Sequence, residues 1–348
     1  MDAENDSGTP DLPTVRAALT VACRAPSVHN TQPWRWVFDS TWLFLYSDTD
    51  RRLPAADPQS RQLIVSCGAA LDHARQAFVS MGWFAYVTRM PDPRRPELLA
   101  VFEFRPWCGP LNRTAARVRA IPLRHTDRLP MAAPDDWSGV LDTVRELARP
   151  HHVTVDEITD DDRPRLADAT RQVTALRRHD NAYQDELYWW SGHSGPHAGV
   201  PVSALVSDAE AARVDVGRTF PSAPYSTRRP DLDDHSRLVV LSTIGDSPGQ
   251  WLHTGEAMSE LLLECTARGL TTGILTHITE LTTTRAEIAD LITQPGVPQV
   301  VIRIGTAPAE TGADPTPRRP LSEVLEVYPA HIRNPASIDL TLSTPARS

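Results

Sequence analysis

The sequence has 348 residues, of which 41% are hydrophobic and 23% charged, so the chain can form one large folded domain or two fused ones. Its formal net charge of -9 at pH 7 excludes a general surface for nucleic acid or for an anionic membrane, because both need excess positive charge. Since the sequence contains no lysine, arginine must hold any phosphate, and Schiff-base lysine chemistry is excluded.

The four cysteines are far apart and form no C-x-x-C pair, and the N-terminus is acidic where a signal peptide would be basic. No apolar run reaches the length of about 18 residues that a membrane span requires. These features predict a cytoplasmic protein with reduced thiols and no membrane partner.

The first predicted elements are a helix, a strand pair, a second helix and two further strands. The first helix starts at Pro13, buries Val15, Leu19 and Ala22 on one face, and ends before Pro26. The remaining elements are predicted at 35–38, 42–46, 63–81, 85–88 and 98–104, with Gly82 as the cap of the second helix.

Later in the chain, a helix of the same pattern is predicted at 251–269 and an apolar strand at 299–304. Gly68 and Gly82 are separated by the same interval as Gly255 and Gly269. We interpret this as a duplicated α+β domain whose two halves pack about a pseudo-twofold axis, as in a fused homodimer. A chance match of two glycines in long helices is the alternative.

Between 185 and 237 the sequence loses clear periodicity, apart from a short helical patch at 208–214. Such long connections are typical of lids, binding loops or disordered linkers. The aromatic residues Tyr188, Trp189 and Trp190 at its start favour packing over disorder, and we predict that Trp189 and Trp190 belong to a cover over a site.

Common catalytic signatures are missing from the sequence, including G-x-S-x-G, G-x-G-x-x-G and H-E-x-x-H. His193 and His197 have the spacing of helical metal ligands, but glycines and a proline surround them, so a solvated loop is expected instead. The sequence therefore predicts no catalytic side chain and no metal site.

Three polar patches remain as candidate binding residues. The first could hydrogen-bond a planar heterocycle, and the other two could grip a phosphate through arginine. Taken singly, each patch is better explained as a capped loop or as solvated surface. They are Ser27, His29, Asn30 and Gln32; Arg124, His125, Thr126 and Arg128; and Thr316, Arg318 and Arg319.

Together and in this order, the patches resemble the flavin-binding segments of the nitroreductase superfamily. The stretch APSVHNTQPWRW resembles the family's A-P-S-x-x-N-x-Q-P-W, and IPLRHTDR is similar to its basic R-R-S-x-R segment. GLTTGIL resembles the loop against the flavin ring, and RIG followed by PTPRRP resembles the C-terminal phosphate arm. The closest resemblance is to the Acg-like subgroup of NAD(P)H nitroreductases, and it covers about residues 13–330.

The resemblance implies a set of cofactor-binding residues for FMN. In addition to the three patches, these are Pro26, Trp34, Arg35, Trp36, Thr272, Gly273 and Ile274. NAD(P)H would be a transient reductant.

In ordinary nitroreductases, the basic segment precedes the A-P-S segment in one short chain, and two chains build two flavin sites at their interface. Here the basic segment lies downstream of APSVHNTQPW, which implies a nitroreductase-like fold, duplicated and fused. The expected organisation is a tail at 1–12, halves at 13–115 and 116–335 with a lid-like insertion at about 185–237, and a tail at 336–348. One site per chain follows, for which a monomer is sufficient.

The leading functional hypothesis is an FMN-dependent oxidoreductase that passes hydride from NAD(P)H through FMN to a small-molecule acceptor. The alternative is a protein that stores or sequesters FMN with little turnover because the insertion covers the flavin. A third hypothesis, an interaction domain without cofactor, requires every motif match to be coincidental.

Overall fold

The computed structural model describes residues 8–223, 226–308 and 316–328. The first part of the chain contains three helices and four strands. In chain order they are α1 (Leu12–Ala22), β1 (Trp34–Phe38), β2 (Leu43–Ser47), α2 (Arg61–Ser80), β3 (Trp83–Arg89), β4 (Leu98–Pro106) and α3 (Asn112–Ala120). The predicted elements are all present, within a few residues of their expected ends.

The second part repeats this order with additional helices. It consists of α4 (Trp137–Ala148), β5 (Thr154–Ile158), α5 (Arg163–Arg177), α6 (Asn181–Trp189), α7 (Asp208–Ala211), β6 (Arg237–Thr243), α8 (Pro248–Ala267), β7 (Thr271–Leu275), α9 (Thr282–Ala289), β8 (Val297–Gly305), α10 (Leu321–Val324) and β9 (Leu325–Val327). No helix in the described ranges is long and apolar enough to cross a membrane.

The two sheets have matching strand orders. The first sheet is β3-β4-β2-β1-β9 and the second is β7-β8-β6-β5 when written from the equivalent edge. The additional strand β9 comes from the C-terminal part of the chain and pairs in parallel with β1, where Leu325 lies opposite Trp36. The end of the second half therefore completes the sheet of the first half.

The helices α2 and α8 cross at their glycines. A Cβ atom added to Gly68 would lie 2.2 Å from the carbonyl oxygen of Leu252, and one added to Gly255 would lie 2.0 Å from that of Val65. Only glycine permits this approach, because these contacts are too short for any Cβ. The two contacts are reciprocal, as expected for surfaces that face each other across a twofold axis.

A constant offset of 187 residues relates the two helices, each 20 residues long. It also relates Asp72 to Ser259, and the Ser259 hydroxyl donates a 2.6 Å hydrogen bond to the Asp72 carboxylate across the crossing. Gly82 and Gly269 end the two helices with positive φ values of 83° and 76°. The duplication predicted from the glycine spacing is therefore confirmed by the fold.

Local sequence explains where the main helices begin. The Asp11 side chain accepts a 2.9 Å hydrogen bond from the backbone N–H of Thr14, which caps α1. Ser247 and Gln250 form a reciprocal capping box at the start of α8, and Pro248 occupies its first turn. These contacts involve residues three apart, so the sequence alone specifies them.

The largest difference between the halves lies between β5 and β6. Residues 159–236 connect β5 to β6, whereas in the first half only the short turn 39–42 connects the equivalent strands β1 and β2. The predicted lid-like insertion at about 185–237 lies within this segment, which also includes α5 and α6. The predicted boundary at 115/116 falls inside α3, and the domain limits remain a prediction. Residues 1–7 of the N-terminal tail and all of the 336–348 tail lie outside the described residues.

Candidate functional site

A cavity of about 640 Å³ lies between the loop after α1, the start of α2, the segment before α4, β7 and the insertion. Most of the predicted cofactor-binding residues line it, although they come from distant parts of the chain. They are Pro26, Ser27, His29, Asn30, Arg124, His125, Thr126, Arg128, Gly273, Ile274, Thr316 and Arg318.

The loop after α1 has an unusual backbone. His29, Asn30 and Gln32 all have positive φ values, of 47°, 54° and 52°. Side chains with a Cβ rarely adopt this conformation, which costs free energy and is typical of functional sites. Hydrogen bonds hold the loop in place, since Ser27 Oγ accepts from the Gln32 N–H at 2.9 Å and Ser66 Oγ accepts from the Val28 N–H at 3.1 Å.

The amide side chains of this loop connect it to the insertion and the C-terminal arm. Asn30 donates to the carbonyl oxygens of Gly199 at 2.9 Å and Pro317 at 3.0 Å. Gln32 donates to the carbonyl oxygen of His197 at 2.7 Å and accepts from the Arg319 N–H at 2.8 Å. These polar groups, which the sequence assigned to a heterocycle, thus hold other backbone segments against the cavity.

Three arginines converge at one end of the cavity. Arg24, Arg124 and Arg318 all line the cavity. Burial and the positive charges of neighbouring arginines lower the pKa of Arg124 to about 10 and the pKa of Arg318 to about 9. Arg124 is 8% exposed, and its buried Nε and Nη1 atoms have no hydrogen-bond partner. Within the described ranges no carboxylate pairs with any of the three, so an anion is needed to balance them.

Among the described residues, the acceptors that hold Arg318 in position are all neutral. Its guanidinium donates to Asn30 Oδ1 at 3.2 Å, to the carbonyl oxygen of Pro317 at 2.9 Å and to that of Arg24 at 3.0 Å. Beneath the three arginines, His73 of α2 is fully buried, and burial lowers its pKa well below the usual value. A neutral imidazole at this position leaves the positive charge of the cluster uncompensated.

A second positive group lies under the insertion. The guanidinium of Arg128 lies 4.8 Å from the ring centroid of Phe220, and burial lowers the pKa of Arg128 to about 10. Phe220 also contacts His29 edge-on at 5.8 Å. Burial keeps His29 neutral by lowering its pKa, and both of its ring nitrogens lack a partner. Arg128 therefore belongs to a different cluster from Arg124, four residues earlier.

The segment that carries Arg124 and Arg128 is hydrogen-bonded to β7. The Asp127 N–H donates to the carbonyl oxygen of Thr272 at 2.8 Å, and the Asp127 carboxylate pairs with Arg229 at 2.9 Å. A Cβ on Gly273 would lie 2.7 Å from the carbonyl oxygen of Asp127, so this close approach requires glycine. GLTTGIL was expected to be a loop, but its residues form β7, because they pair with β8 from Thr271 to Leu275.

The structure places the remaining predicted site residues away from the cavity wall. Trp34 and Trp36 are fully buried in the core, where Trp36 contacts Phe102 at 5.7 Å. Arg35 is partly exposed on β1 and pairs with Glu326 at 2.8 Å. Because alternate residues of a strand point to opposite faces, Trp34 and Trp36 lie on the core face of the sheet and Arg35 lies on the other face.

Arg319, Gln32 and Thr272 also lie outside the cavity wall. Arg319 pairs with Asp48 at 3.0 Å and with Glu323 at 3.4 Å, so its charge is already balanced. Gln32 is fully buried and bonded as described above, and the side chain of Thr272 is buried next to the cavity. The arginine pair in PTPRRP is thus divided, with Arg318 at the cavity and Arg319 in the structural arm.

No family model matches the chain. A relative in Mycobacterium tuberculosis strain H37Rv, provisionally named NAD(P)H nitroreductase Acg, is 44% identical over 315 residues, which cover 90% of this chain and 95% of the relative. A second relative from the same strain, provisionally named NAD(P)H nitroreductase Rv3131, is 38% identical over 322 residues, 91% of this chain and 92% of the relative.

The chain belongs to the nitroreductase superfamily.

Solved nitroreductase structures resemble it more distantly. One from Anabaena variabilis, provisionally named a nitroreductase, shares 9% identity over 86% of this chain and 90% of its own, with a TM-score of 0.48. The FMN and NADPH-dependent nitroreductase NfnB from Sphigopyxis sp. strain HMH shares 17% identity over 60% of this chain and 97% of its own, with a TM-score of 0.40.

Sequence reasoning missed several residues that line the cavity of this nitroreductase superfamily member. Arg24 directly precedes APSVHNTQPW, but a single arginine at a helix end carries no recognisable signal. Thr170 and Thr174 of α5 and Phe220 of the insertion also line the cavity. They lie in segments without a motif, and only the path of the insertion across the cavity brings them there.

Proposed function

We propose that the chain is an FMN-dependent oxidoreductase that transfers hydride from NAD(P)H through FMN to a small-molecule acceptor. The observation that carries this proposal is the group of Arg24, Arg124 and Arg318, whose positive charges have no carboxylate partner among the described residues. A phosphate with close to two negative charges would satisfy the free N–H groups of Arg124 and offset the cluster.

The cavity suits the rest of the cofactor as well. Its volume of about 640 Å³ is in the range of sites for drug-sized ligands, and it extends from the three arginines to Arg128, Phe220 and His29. With the phosphate at the arginines, the ring system would extend toward that second end. Membership of the nitroreductase superfamily supports FMN over other phosphorylated ligands.

FMN bound there would supply the hydride chemistry, and the side chains would supply orientation and charge. Arg124 and Arg318 would fix the phosphate, and the backbone of the loop after α1 would set one wall of the ring pocket. Arg128 would keep a positive charge near the ring, which favours any negative charge that develops there on reduction. The segment 197–204 of the insertion would limit access of water.

A second candidate function is FMN sequestration with little turnover. It is favoured by the hydrogen bonds from Gln32 to His197 and from Asn30 to Gly199, which hold the insertion against the cavity. If these bonds rarely open, the nicotinamide of NAD(P)H cannot reach the flavin.

Anaerobic stopped-flow absorbance distinguishes the two functions. For the oxidoreductase, NADH or NADPH should bleach the flavin of the purified protein within seconds, and an added acceptor such as a quinone should restore the absorbance. If the flavin persists for many minutes with both nucleotides, sequestration is supported instead. A purified chain that does not bind added FMN would contradict both.

We further propose one FMN per chain, bound without a symmetric partner chain. The loop after α1 has three residues with positive φ values, whereas in the described segment between α4 and β5 only His152 has one, and the uncompensated arginines come from both halves. Released flavin measured against protein concentration, with molar mass from light scattering, tests this. Two flavins per chain, or flavin bound only to dimers, would contradict it.

A further inference from the structure

Because the two halves are similar, the pseudo-twofold axis relates each location in one half to an equivalent location in the other. The cavity lies at one of two such equivalent locations. Ser66 of α2 and Thr276 after β7 line the cavity. Under the 187-residue offset, their counterparts are His253 of α8 and Arg89 of β3. The mirror position therefore carries different side chains, and these fill it with charged and imidazole groups.

Two histidines and a glutamate converge at this mirror position. His151 belongs to the short 3-10 helix Arg149–His151 after α4, while His253 and Glu256 lie one turn apart on α8. Nδ1 of His151 lies 3.9 Å, and Nδ1 of His253 lies 3.5 Å, from Oε2 of Glu256. Each residue offers one ligand atom within 4.8 Å of the others.

One ring nitrogen of His253 has no hydrogen-bond partner among the described residues. Its Nδ1 atom is buried and has no hydrogen-bond partner, although Glu256 is close. A neutral imidazole keeps a lone pair on one ring nitrogen, which a metal ion can accept. Zinc bonds of about 2.0–2.1 Å place tetrahedral ligands about 3.4 Å apart, so only a small side-chain movement is needed to bring these atoms together.

We propose that His151, His253 and Glu256 form a binding site for a divalent transition metal of the zinc class. Two imidazole nitrogens and one carboxylate oxygen are a ligand set that zinc uses in proteins, and it leaves a fourth position for water. The side chain of His253 is 28% exposed, which gives an ion access from solvent. The site is separate from the FMN cavity and does not depend on the proposed function.

Neighbouring charges determine how strongly an ion would bind. Arg89 donates through Nε to Oε2 of Glu256 at 2.7 Å and through Nη2 to Oε1 at 2.6 Å, and Arg75 lies 3.5 Å from Oε1. A carboxylate has about four lone-pair positions, so Oε2 can accept from Arg89 and still bind a metal. Because Arg89 opposes a dication, Arg89→Gln is expected to tighten metal binding.

Glu260 explains why the mirror position differs from the FMN cavity. It corresponds to His73 under the offset, and its carboxylate pairs with Arg117 at 3.3 Å. It also lies 3.4 Å from Nε2 of His151. The arginine is therefore neutralised internally, and the His151 ring is oriented with Nδ1 toward Glu256, as outer carboxylates orient metal-bound histidines.

Cobalt and zinc titrations of the tag-free, full-length, chelator-treated protein test the site. One equivalent of Co²⁺ per chain should produce the intense visible absorption of a tetrahedral centre, and Zn²⁺ should displace it. His253→Gln should weaken Co²⁺ binding by about 100-fold, on the scale of lost metal ligation. His179→Gln, at an exposed histidine after α5, is the matched control and should leave the affinity unchanged.

The proposal is overturned if the parent protein gives no cobalt absorption at millimolar Co²⁺, or if His253→Gln and the parent bind Co²⁺ equally. His253 is partly exposed, so its variant can be expected to fold even if a His151 variant does not. FMN content is measured separately in each sample. A protein that binds cobalt but no FMN would leave the metal site intact and contradict the proposed function.

Discussion

Replacement of Arg124 by methionine should change cofactor affinity and apoprotein stability in opposite directions. The side chain is 8% exposed, and two of its guanidinium nitrogens are buried without a partner. In the apoprotein this charge is costly, because nothing balances it. When FMN binds, the same charge would become a strong hydrogen-bond donor to the phosphate.

The magnitudes follow from the site. Burial lowers the pKa of Arg124 from its usual value to about 10, which corresponds to about 3 kcal/mol against the charged form. Since the folded-state pKa is depressed, this cost is fully present at neutral pH and is relieved only as the pH rises through the folded value. Methionine should therefore raise the free energy of unfolding of the apoprotein by up to about 3 kcal/mol. Loss of a charge-assisted hydrogen bond, about 1.5–3 kcal/mol, should weaken FMN binding by about 10- to 150-fold.

Urea unfolding of the flavin-free protein and fluorescence titration with FMN measure the two effects. Arg94→Met is a suitable control, because the Arg94 side chain is 89% exposed and pairs only with Asp92 in the described contacts. It should change neither quantity by more than a few tenths of a kcal/mol. An Arg124→Met variant with parental FMN affinity, or a less stable apoprotein, would refute the assignment of the phosphate site.

Three further predictions concern the helix crossing and the second arginine. Burial raises the pKa of Asp72 to about 7, so the unfolding free energy should fall as pH rises toward that value, and Asp72→Asn should gain about 2 kcal/mol relative to the parent between about pH 5 and pH 7. Equal pH profiles in urea unfolding would contradict this. Gly255→Ala should cost about 3 kcal/mol or more, because its Cβ would lie 2.0 Å from the Val65 carbonyl oxygen, whereas Gly8→Ala has no such contact and should be neutral. Similar thermal stability of these two variants would refute the close crossing. Arg128→Gln should lower the midpoint potential of bound FMN while weakening its binding less than Arg124→Met does, because the charge lies at the other end of the cavity. Spectroelectrochemistry measures the potential, and an unchanged value would place the ring elsewhere.

The element pattern of this chain could be predicted from sequence because it depends on local periodicity. The faces of α1 and α2, the β1–β2 pair and the recurrence of a glycine-marked helix in α8 were all visible as spacings. The cofactor motifs were visible too, since a resemblance compares residue types in order. Neither signal specifies the direction of an individual side chain, which is why Trp34, Trp36 and Arg35 were assigned to the site although β1 directs them elsewhere.

The hydrogen-bond partners of the site were beyond sequence reasoning. Asn30 bonds to a carbonyl group 169 residues away, and Gln32 to one 165 residues away. Arg318 reaches the Arg24 carbonyl group across 294 residues. Such pairings depend on how the insertion and the C-terminal arm cross the cavity, and no local pattern encodes them.

The sequence by itself thus determined the family, the duplicated helix-and-strand order and the composition of the polar patches, because these follow from local spacing and residue type. Only the tertiary structure separated Arg318 from Arg319, placed Arg124 and Arg128 in different clusters, and brought Arg24 and Phe220 to the cavity. Packing about the α2–α8 crossing determines which distant side chains lie close together away from water. Charged side chains that lie there without a partner remain unbalanced.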